Sequence, residues 1–301
     1  MEKRILWLGL MLMVVGMYSS GAFATTMGPP TAGLDAGQFS LGPGYSTSDI
    51  GVEGDAKFTE QWKLVEVEDD GVVITTTTTT FVPETGKVKI KDEVDIDMIF
   101  ANLSYGITDK LEASLLLGMA DESNVDSDFE FAYGFGAKAT FYEAADLKLG
   151  ALLQMIWSSF EGDVDGDPED FVYGPWLPYI ETVNTTDSWD ADYYQLKFAV
   201  GPTYKLTEAV LIYGGPFYHL VRGDFDIERS GETIETETVG GVTYTDTVTY
   251  SGTASGDIEE QSNFGAYIGA QVDLAENLPL CVEYQMTGDT DIFGASLAYR
   301  F

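Results

Sequence analysis

The single histidine of the chain is the residue best suited to acid–base chemistry. His219 stands between Tyr218 and Leu220, and two neighbouring hydroxyls, Ser158 and Ser159, are predicted to lie at the same rim of the fold. A histidine within hydrogen-bond reach of a serine hydroxyl can act as a base and activate that hydroxyl as a nucleophile. No acidic residue adjoins His219 in the sequence, and no spacing links it to the serines. We therefore predict that the chain is not an enzyme and that His219 is an interfacial side chain.

A group of acidic residues could bind a hard cation. The group consists of Asp163, Asp165, Asp167, Glu169 and Asp170. Carboxylate oxygens are the ligands that Ca²⁺ and Mg²⁺ prefer, and the pattern starts like a calcium loop. It departs from one at Pro168, which takes the place of the sharp-turn glycine. The sequence indicates no cofactor other than Ca²⁺ or Mg²⁺ at these acids, and a solvated, mutually repelling surface is the alternative.

The N-terminal residues have the pattern of an export signal. Three charged residues, two of them basic, precede an apolar run over residues 5–17, and small residues lead up to Ala24. This order is typical of a secretory signal peptide. The run is shorter than the ~20 residues that a membrane-spanning helix needs. We predict a signal peptide at residues 1–24, cleaved after Ala24.

The rest of the chain is strongly acidic. Residues 25–301 contain 49 Asp and Glu against 13 Lys and Arg. This excess argues against nucleic acid as a partner, because like charges repel. Hydrophobic residues nevertheless make up 45% of the chain, which is too much for a disordered acidic protein. A folded structure must therefore separate the two populations.

Segments of about ten residues with alternating apolar and small or polar side chains recur along the chain, a pattern typical of membrane β-strands. The clearest segment ends the chain, where Phe293, Ala295, Leu297, Tyr299 and Phe301 share one face. The other segments are residues 39–45, 99–107, 111–119, 129–141, 147–157, 194–200, 210–223, 264–274 and 280–286. Pro43 interrupts the first of these, and a Gly-Gly-Pro break at 214–216 leaves the facing of another uncertain.

The connections also alternate, between short turns and long linkers. The short turns are 108–110, 143–146, 207–209 and 275–277, and the linkers at the other end are 49–93, 120–128, 160–191, 224–260 and 287–291. Short turns on the periplasmic side are typical of outer-membrane barrels. We predict an all-β, antiparallel, up-and-down transmembrane barrel of about ten strands, with twelve or eight as alternatives. It covers residues 36–301, follows a short periplasmic segment at 25–35, and has both termini in the periplasm.

The linkers carry most of the charge. Together they contain 36 acidic and six basic residues. Two of them hold the turn signals Asp70-Gly71 and Gly240-Gly241 between β-rich runs, which predict hairpins. We expect some strands to continue beyond the membrane as an acidic projecting sheet outside the cell.

The same alternation assigns polar side chains to the barrel interior. These residues are Glu112, Glu130, Lys138, Lys148, Gln154, Lys197, Gln271, Asp273, Glu283, Gln285 and Arg300. Balanced acids and bases can pair and fill a lumen of this size. If water separates them, they line a narrow pore instead, and the sequence leaves both readings open.

The turn Tyr105-Gly106-Ile107-Thr108-Asp109-Lys110-Leu111-Glu112 and the terminal Ser296-Leu297-Ala298-Tyr299-Arg300-Phe301 resemble the superfamily of bacterial outer-membrane β-barrel proteins. The likeness is to the small OmpA-like and porin-like barrels, without a periplasmic domain, and covers nearly all of residues 36–301. It implies that outer-membrane lipids surround the chain and that the barrel-assembly machinery reads Tyr299 and Phe301.

The resemblance implies no particular activity. We expect a structural or surface-interaction protein with acidic extracellular loops. A small porin or channel is the alternative and an outer-membrane barrel hydrolase the remote one, while the oligomeric state is left open.

Overall fold

The computed structural model describes residues 25–69, 74–81, 84–122, 130–173, 179–239 and 242–301. The predicted signal peptide at 1–24 lies outside these ranges. In the described part of the chain, no helix is long and apolar enough to cross a membrane.

Within the described ranges, thirteen strands form one antiparallel sheet. They are β1 Phe39–Asp69, β2 Ile74–Thr80, β3 Glu84–Thr108, β4 Leu111–Glu122, β5 Glu130–Ala144, β6 Leu147–Tyr173, β7 Tyr179–Thr207, β8 Val210–Val239, β9 Val242–Glu260, β10 Phe264–Ala275, β11 Leu278–Met286, β12 Thr290–Leu297 and β13 Tyr299–Arg300.

Ten strands close into a ring. Neighbours follow the chain order from β3 to β8, after which β8 pairs with β10, β10 with β11 and β11 with β12. The ring closes where β12 pairs with β1, from Gly44 opposite Ser296 to Ile50 opposite Thr290. This closure confirms the predicted all-β barrel of about ten strands. We call the end with the four short turns the turn end and the opposite end the extended end.

Beyond the ring, the long strands continue as a sheet at the extended end. There β9 lies between β8 and β1, so it takes the place that β10, β11 and β12 occupy in the ring. The linkers at 49–93, 160–191 and 224–260 are thus mainly strand rather than loop. Two hairpin turns were predicted inside these linkers, at Asp70-Gly71 and Gly240-Gly241. The turn residues lie outside the described ranges, but the strands on either side of each turn pair as expected.

Large apolar side chains face outward from every strand of the ring. Examples are Tyr45, Ile99, Leu115, Phe135, Leu153, Phe198, Ile212, Ile268, Tyr284 and Phe293. Two tyrosines of this band hydrogen-bond through their hydroxyls to aspartates, Tyr45 to Asp97 at 2.7 Å and Tyr284 to Asp291 at 2.5 Å. An apolar belt edged by aromatic rings with polar tips is suited to a lipid bilayer and its interface.

Pro43 does not break the first strand, contrary to the sequence reading. β1 is continuous from Phe39, and Pro43 lies opposite Ala101 of β3. Pairing with the closing strand is interrupted instead, between the pairs Leu41–Tyr299 and Gly44–Ser296. Proline has no N–H to donate, so the interruption falls where a hydrogen bond of the ladder would be missing. In this stretch, the N–H of Ala298 donates instead to the carbonyl oxygen of Pro279, at 3.0 Å.

The extended-end half of the barrel interior is apolar. We call the following residues the apolar cluster: Ile50, Val52, Ala56, Met98, Phe100, Leu116, Ala120, Ala132, Phe160, Trp189, Ala191, Tyr193, Val221, Phe225, Ile227, Ala254, Ile258 and Ile292. Several of its rings lie against glycines of neighbouring strands. A Cβ added to Gly44 would come within 2.2 Å of the Phe100 ring, so the bare glycine lets the ring lie flat on the sheet.

Candidate functional site in the barrel lumen

Residues 25–36, which we call the N-terminal segment, lie inside the ring. The sequence analysis expected residues 25–35 to be a short periplasmic segment, and the structure corrects this. Thr25, Thr26, Met27, Thr31, Ala32 and Leu34 are all buried. The physical reason is that the wall supplies hydrogen-bonding side chains to the backbone of the segment, and no feature of the segment's own sequence signals this.

Glu283 holds the middle of the N-terminal segment. Its two carboxylate oxygens each accept one backbone N–H, from Met27 and from Gly28, both at 2.9 Å. Glu283 is itself only 2% exposed. A carboxylate that accepts two backbone donors in this way is a charge-assisted clamp, and it recognises main chain rather than side chains.

Three wall residues hold the inner tip of the segment at Thr25. Its carbonyl oxygen accepts from Lys197 Nζ at 2.8 Å and from Gln285 Nε2 at 2.9 Å. Its hydroxyl donates to Gln154 Oε1 at 2.7 Å. Thr25 and Lys197 are both fully buried, so the tip and the ammonium group satisfy each other away from water.

Further contacts follow the segment toward the turn end. Gly33 N–H donates to Glu112 Oε2 at 3.0 Å, Ala32 N–H to Thr140 Oγ1 at 3.0 Å, and Ala36 N–H to Asp109 Oδ1 at 3.0 Å. The segment therefore has hydrogen bonds to the wall along most of its length.

His219 lies in the same interior with an acid that the sequence analysis missed. Its Nδ1 is 2.9 Å from Glu260 Oε1, and the Gln195 amide contacts its Nε2. With the amide donating to Nε2, the ring proton lies on Nδ1 and is donated to Glu260. Thr290 also donates to Glu260 Oε1, at 3.0 Å. Glu260 is 41 residues from His219 in the chain, and only the pairing of β9, β8 and β1 brings the two together.

The two serines considered with His219 have other surroundings. Ser158 is buried and donates to Phe131 O at 3.2 Å, and Ser159 faces outward. His219 is fully buried and is not an interfacial side chain as predicted. The pair His219–Glu260 resembles an acid–base dyad in its contacts, but its other partners, Gln195 and Thr290, are also residues of the barrel wall.

The residues predicted to face the lumen differ in their exposure to solvent. Glu112, Gln154, Lys197, Gln271, Glu283 and Gln285 are buried, while Glu130, Lys138, Lys148, Asp273 and Arg300 are partly exposed. Lys138 and Arg300 lie beside the N-terminal segment, since a Cβ added to Gly28 would be 3.1 Å from Lys138 Nζ and one added to Gly33 would be 3.9 Å from Arg300 Nη2. Lys148 pairs with Glu143 at 2.9 Å near the turn end.

The predicted cation site falls where side chains are not described. The backbone of β6 includes Asp163, Asp165, Asp167, Glu169 and Asp170. Elsewhere in the described chain, no group of three or more His, Cys, Asp or Glu residues is arranged to hold a metal ion.

The outer face of the extended sheet is acidic. Aspartates of adjacent strands stand in one row, with Asp55 opposite Asp257, Asp257 opposite Asp224, and Asp224 opposite Asp192. They line a recess of about 780 Å³ together with the aromatic rings of Tyr133 and Trp157.

Two aspartates of this row interact directly. A hydrogen bond with Asp257, followed by partial burial and the negative charge of Asp257, raises the pKa of Asp224 above its ordinary value. The sequence could not pair these residues, because the pairing depends on strand register.

Tyr299 and Phe301 lie at the closing seam of the barrel. Both side chains are exposed, and the Phe301 ring stacks on Phe39 with centroids 6.0 Å apart. The backbones of Phe39 and Phe301 exchange two hydrogen bonds, of 3.0 and 2.9 Å. The terminal strand thus joins the first strand along its whole length except at the interruption beside Pro43.

Comparison with solved structures finds membrane barrels. The outer membrane protease OmpT from Escherichia coli is 9% identical, with 86% of this chain and 97% of that chain covered and a TM-score of 0.34. The KdgM porin is 8% identical, with coverage of 80% and 99% and a TM-score of 0.30. The translocator domain of the autotransporter NalP from Neisseria meningitidis is 11% identical, with coverage of 99% and 95% and a TM-score of 0.32.

No protein-family model and no curated protein matches the chain. The fold assignment rests on the closure of the ring and on the outward-facing apolar belt. Over the described residues, the molecule is a ten-stranded antiparallel β-barrel with an outward-facing apolar belt.

Proposed function

We propose that this chain is a closed outer-membrane barrel that anchors an acidic sheet outside the cell, with a structural or surface-interaction role and no enzymatic activity. The observation that carries the proposal is the occupied lumen. The N-terminal segment takes up the turn-end half through contacts such as the Glu283 clamp, and the apolar cluster takes up the other half. A lumen filled by the protein's own groups favours a scaffold over a channel.

The proposed orientation puts the short turns and the C-terminus in the periplasm, so that the N-terminal segment occupies the lumen from the periplasmic side. The extended sheet then faces outward with its rows of carboxylates, such as Asp55, Asp257, Asp224 and Asp192. This charge favours partners that carry basic groups and disfavours nucleic acid. Outer-membrane lipids around the apolar belt and the barrel-assembly machinery at Tyr299 and Phe301 are the other proposed partners, and Ca²⁺ or Mg²⁺ at the acids of β6 is a further one.

A small channel is the second candidate. It is favoured by the polar lining near the turn end, where Lys138 and Arg300 remain partly exposed, because such residues would contact solutes if the segment left the lumen.

Bilayer conductance separates the two candidates. Purified, refolded protein that shows heat-modifiable migration on a gel is inserted into a planar bilayer. The closed scaffold predicts no stable single-channel steps. A barrel that passes the gel control and gives reproducible steps would overturn the proposal in favour of the channel.

A further inference from the structure

The wall of the lumen contains two buried acceptors without a hydrogen-bond partner. Among the buried side-chain atoms of the described chain, Glu260 Oε2 and Gln195 Oε1 make no hydrogen bond. Both residues are buried, with exposures of 4% and 1%. An unsatisfied buried carboxylate oxygen is costly, and such atoms call for a ligand with N–H donors.

Contacts connect these acceptors to Thr25. Lys197 donates to the Thr25 carbonyl and is the strand partner of His219. His219 in turn contacts Glu260 on one side and Gln195 on the other. The two unpartnered oxygens therefore belong to side chains that are linked to the buried tip of the segment through Lys197 and His219.

Removal of the predicted signal peptide creates a new charge at this place. Cleavage after Ala24 turns the backbone nitrogen of Thr25 into an α-ammonium group with three N–H donors. Because Thr25 is fully buried, that cation needs acceptors and an opposite charge close by. Among the ion pairs of the described residues, Glu260 has only the His219 ring as its partner, so its carboxylate has capacity for a cation.

We propose that the lumen contains a binding site for a primary ammonium group, formed by Glu260 and Gln195, and that its ligand is the α-ammonium of Thr25 in the mature chain. The site fixes the tip of the N-terminal segment after export. Before cleavage the nitrogen is an amide with a single N–H and no charge, so the site is completed only in the processed protein.

Amine chemistry tests the site directly. The mature protein, with its N-terminus established by mass spectrometry, is treated with an acetylating reagent when folded and when unfolded in urea. We expect the α-amine of the folded protein to react roughly 100-fold more slowly or slower still, as for groups exposed only by local opening. Glu260→Gln and Gln195→Ala should speed the reaction, and Glu259→Gln should not, because Glu259 is largely exposed.

A coupling measurement distinguishes ammonium binding from a merely structural role of Glu260. Acetylation of the α-amine, introduced before refolding, should lower the unfolding midpoint of the wild type but leave that of Glu260→Gln unchanged. Equal shifts in both proteins would overturn the proposal, as would a mature N-terminus other than Thr25 or an α-amine that reacts equally fast in the folded and unfolded wild type. Heat-modifiable migration establishes that each variant has folded.

Discussion

The two halves of the lumen are filled in different ways. Near the turn end, the wall presents polar side chains such as Glu283 and Lys197, and a separate piece of chain, the N-terminal segment, satisfies them. Near the extended end, inward-facing side chains of adjacent strands, such as Phe160 and Trp189, pack on one another, with ring centroids 6.4 Å apart. A polar lumen thus needs a partner with hydrogen-bonding groups, whereas an apolar one can be filled by the wall itself.

The largest expected effect is in the polar half, from Glu283→Ala. This change leaves the N–H groups of Met27 and Gly28 without acceptors and removes the negative charge near the buried Lys197. Breaking one side of a buried charged contact costs about 3–5 kcal/mol. Urea unfolding of the barrel in detergent should show a loss of this size.

Proteinase K gives a second measurement on Glu283→Ala. The released N-terminal segment should be cut while the barrel resists. The matched control is Glu276→Ala, in the exposed turn after β10, which should change neither result. A Glu283→Ala protein with a protected segment and wild-type stability would show that the clamp does not hold the segment.

A somewhat smaller effect is expected in the apolar half, from Phe160→Ala. Phe160 is fully buried and its ring contacts Trp189 and Tyr193. Removing it leaves a cavity, and truncation of a buried phenylalanine costs about 3 kcal/mol or slightly more. The same urea experiment measures this loss. Because the two halves are filled independently, the N-terminal segment should stay protected from proteinase K, and its digestion in this variant would break the distinction between the halves.

Much of the fold could be predicted from the sequence because alternation is a local signal. The ten strands of the ring and the facing of residues such as Phe135 and Gln154 follow from a period of two. The prediction that Pro43 interrupts the first strand was wrong. A proline is tolerated in a strand when pairing is interrupted on only one side of that strand.

The site was less predictable because it depends on contacts between distant residues. Thr25 and Gln285 are 260 positions apart, and residues 25–36 show no alternation that would place them inside a barrel. Glu260 likewise belongs to a linker in sequence terms, and it meets His219 only because β9 pairs with both β8 and β1. Strand pairing of this kind depends on register, which one sequence does not specify.

The smallest expected effect concerns the acidic outer face of the extended sheet. The inner face of the same strands bears the apolar cluster. Asp224 and Asp257 stand opposite each other on the outer face, outside the apolar belt, and their contact raises the pKa of Asp224. Between the ordinary Asp pKa of about 4 and that raised value, the folded protein holds more protons than the unfolded one. Its stability therefore falls as the pH rises through this window.

Asp257→Asn should remove this pH dependence, because the neutral amide donates to Asp224 without repelling it. Both groups are largely exposed, so the gain at pH 7 should stay below about 1 kcal/mol. Urea unfolding at pH 4 and pH 7 measures the difference, with Asp146→Asn in the exposed turn after β5 as the control. An unchanged pH dependence in Asp257→Asn would mean that the contact between these two aspartates, unlike the contacts in either half of the lumen, has no effect on stability.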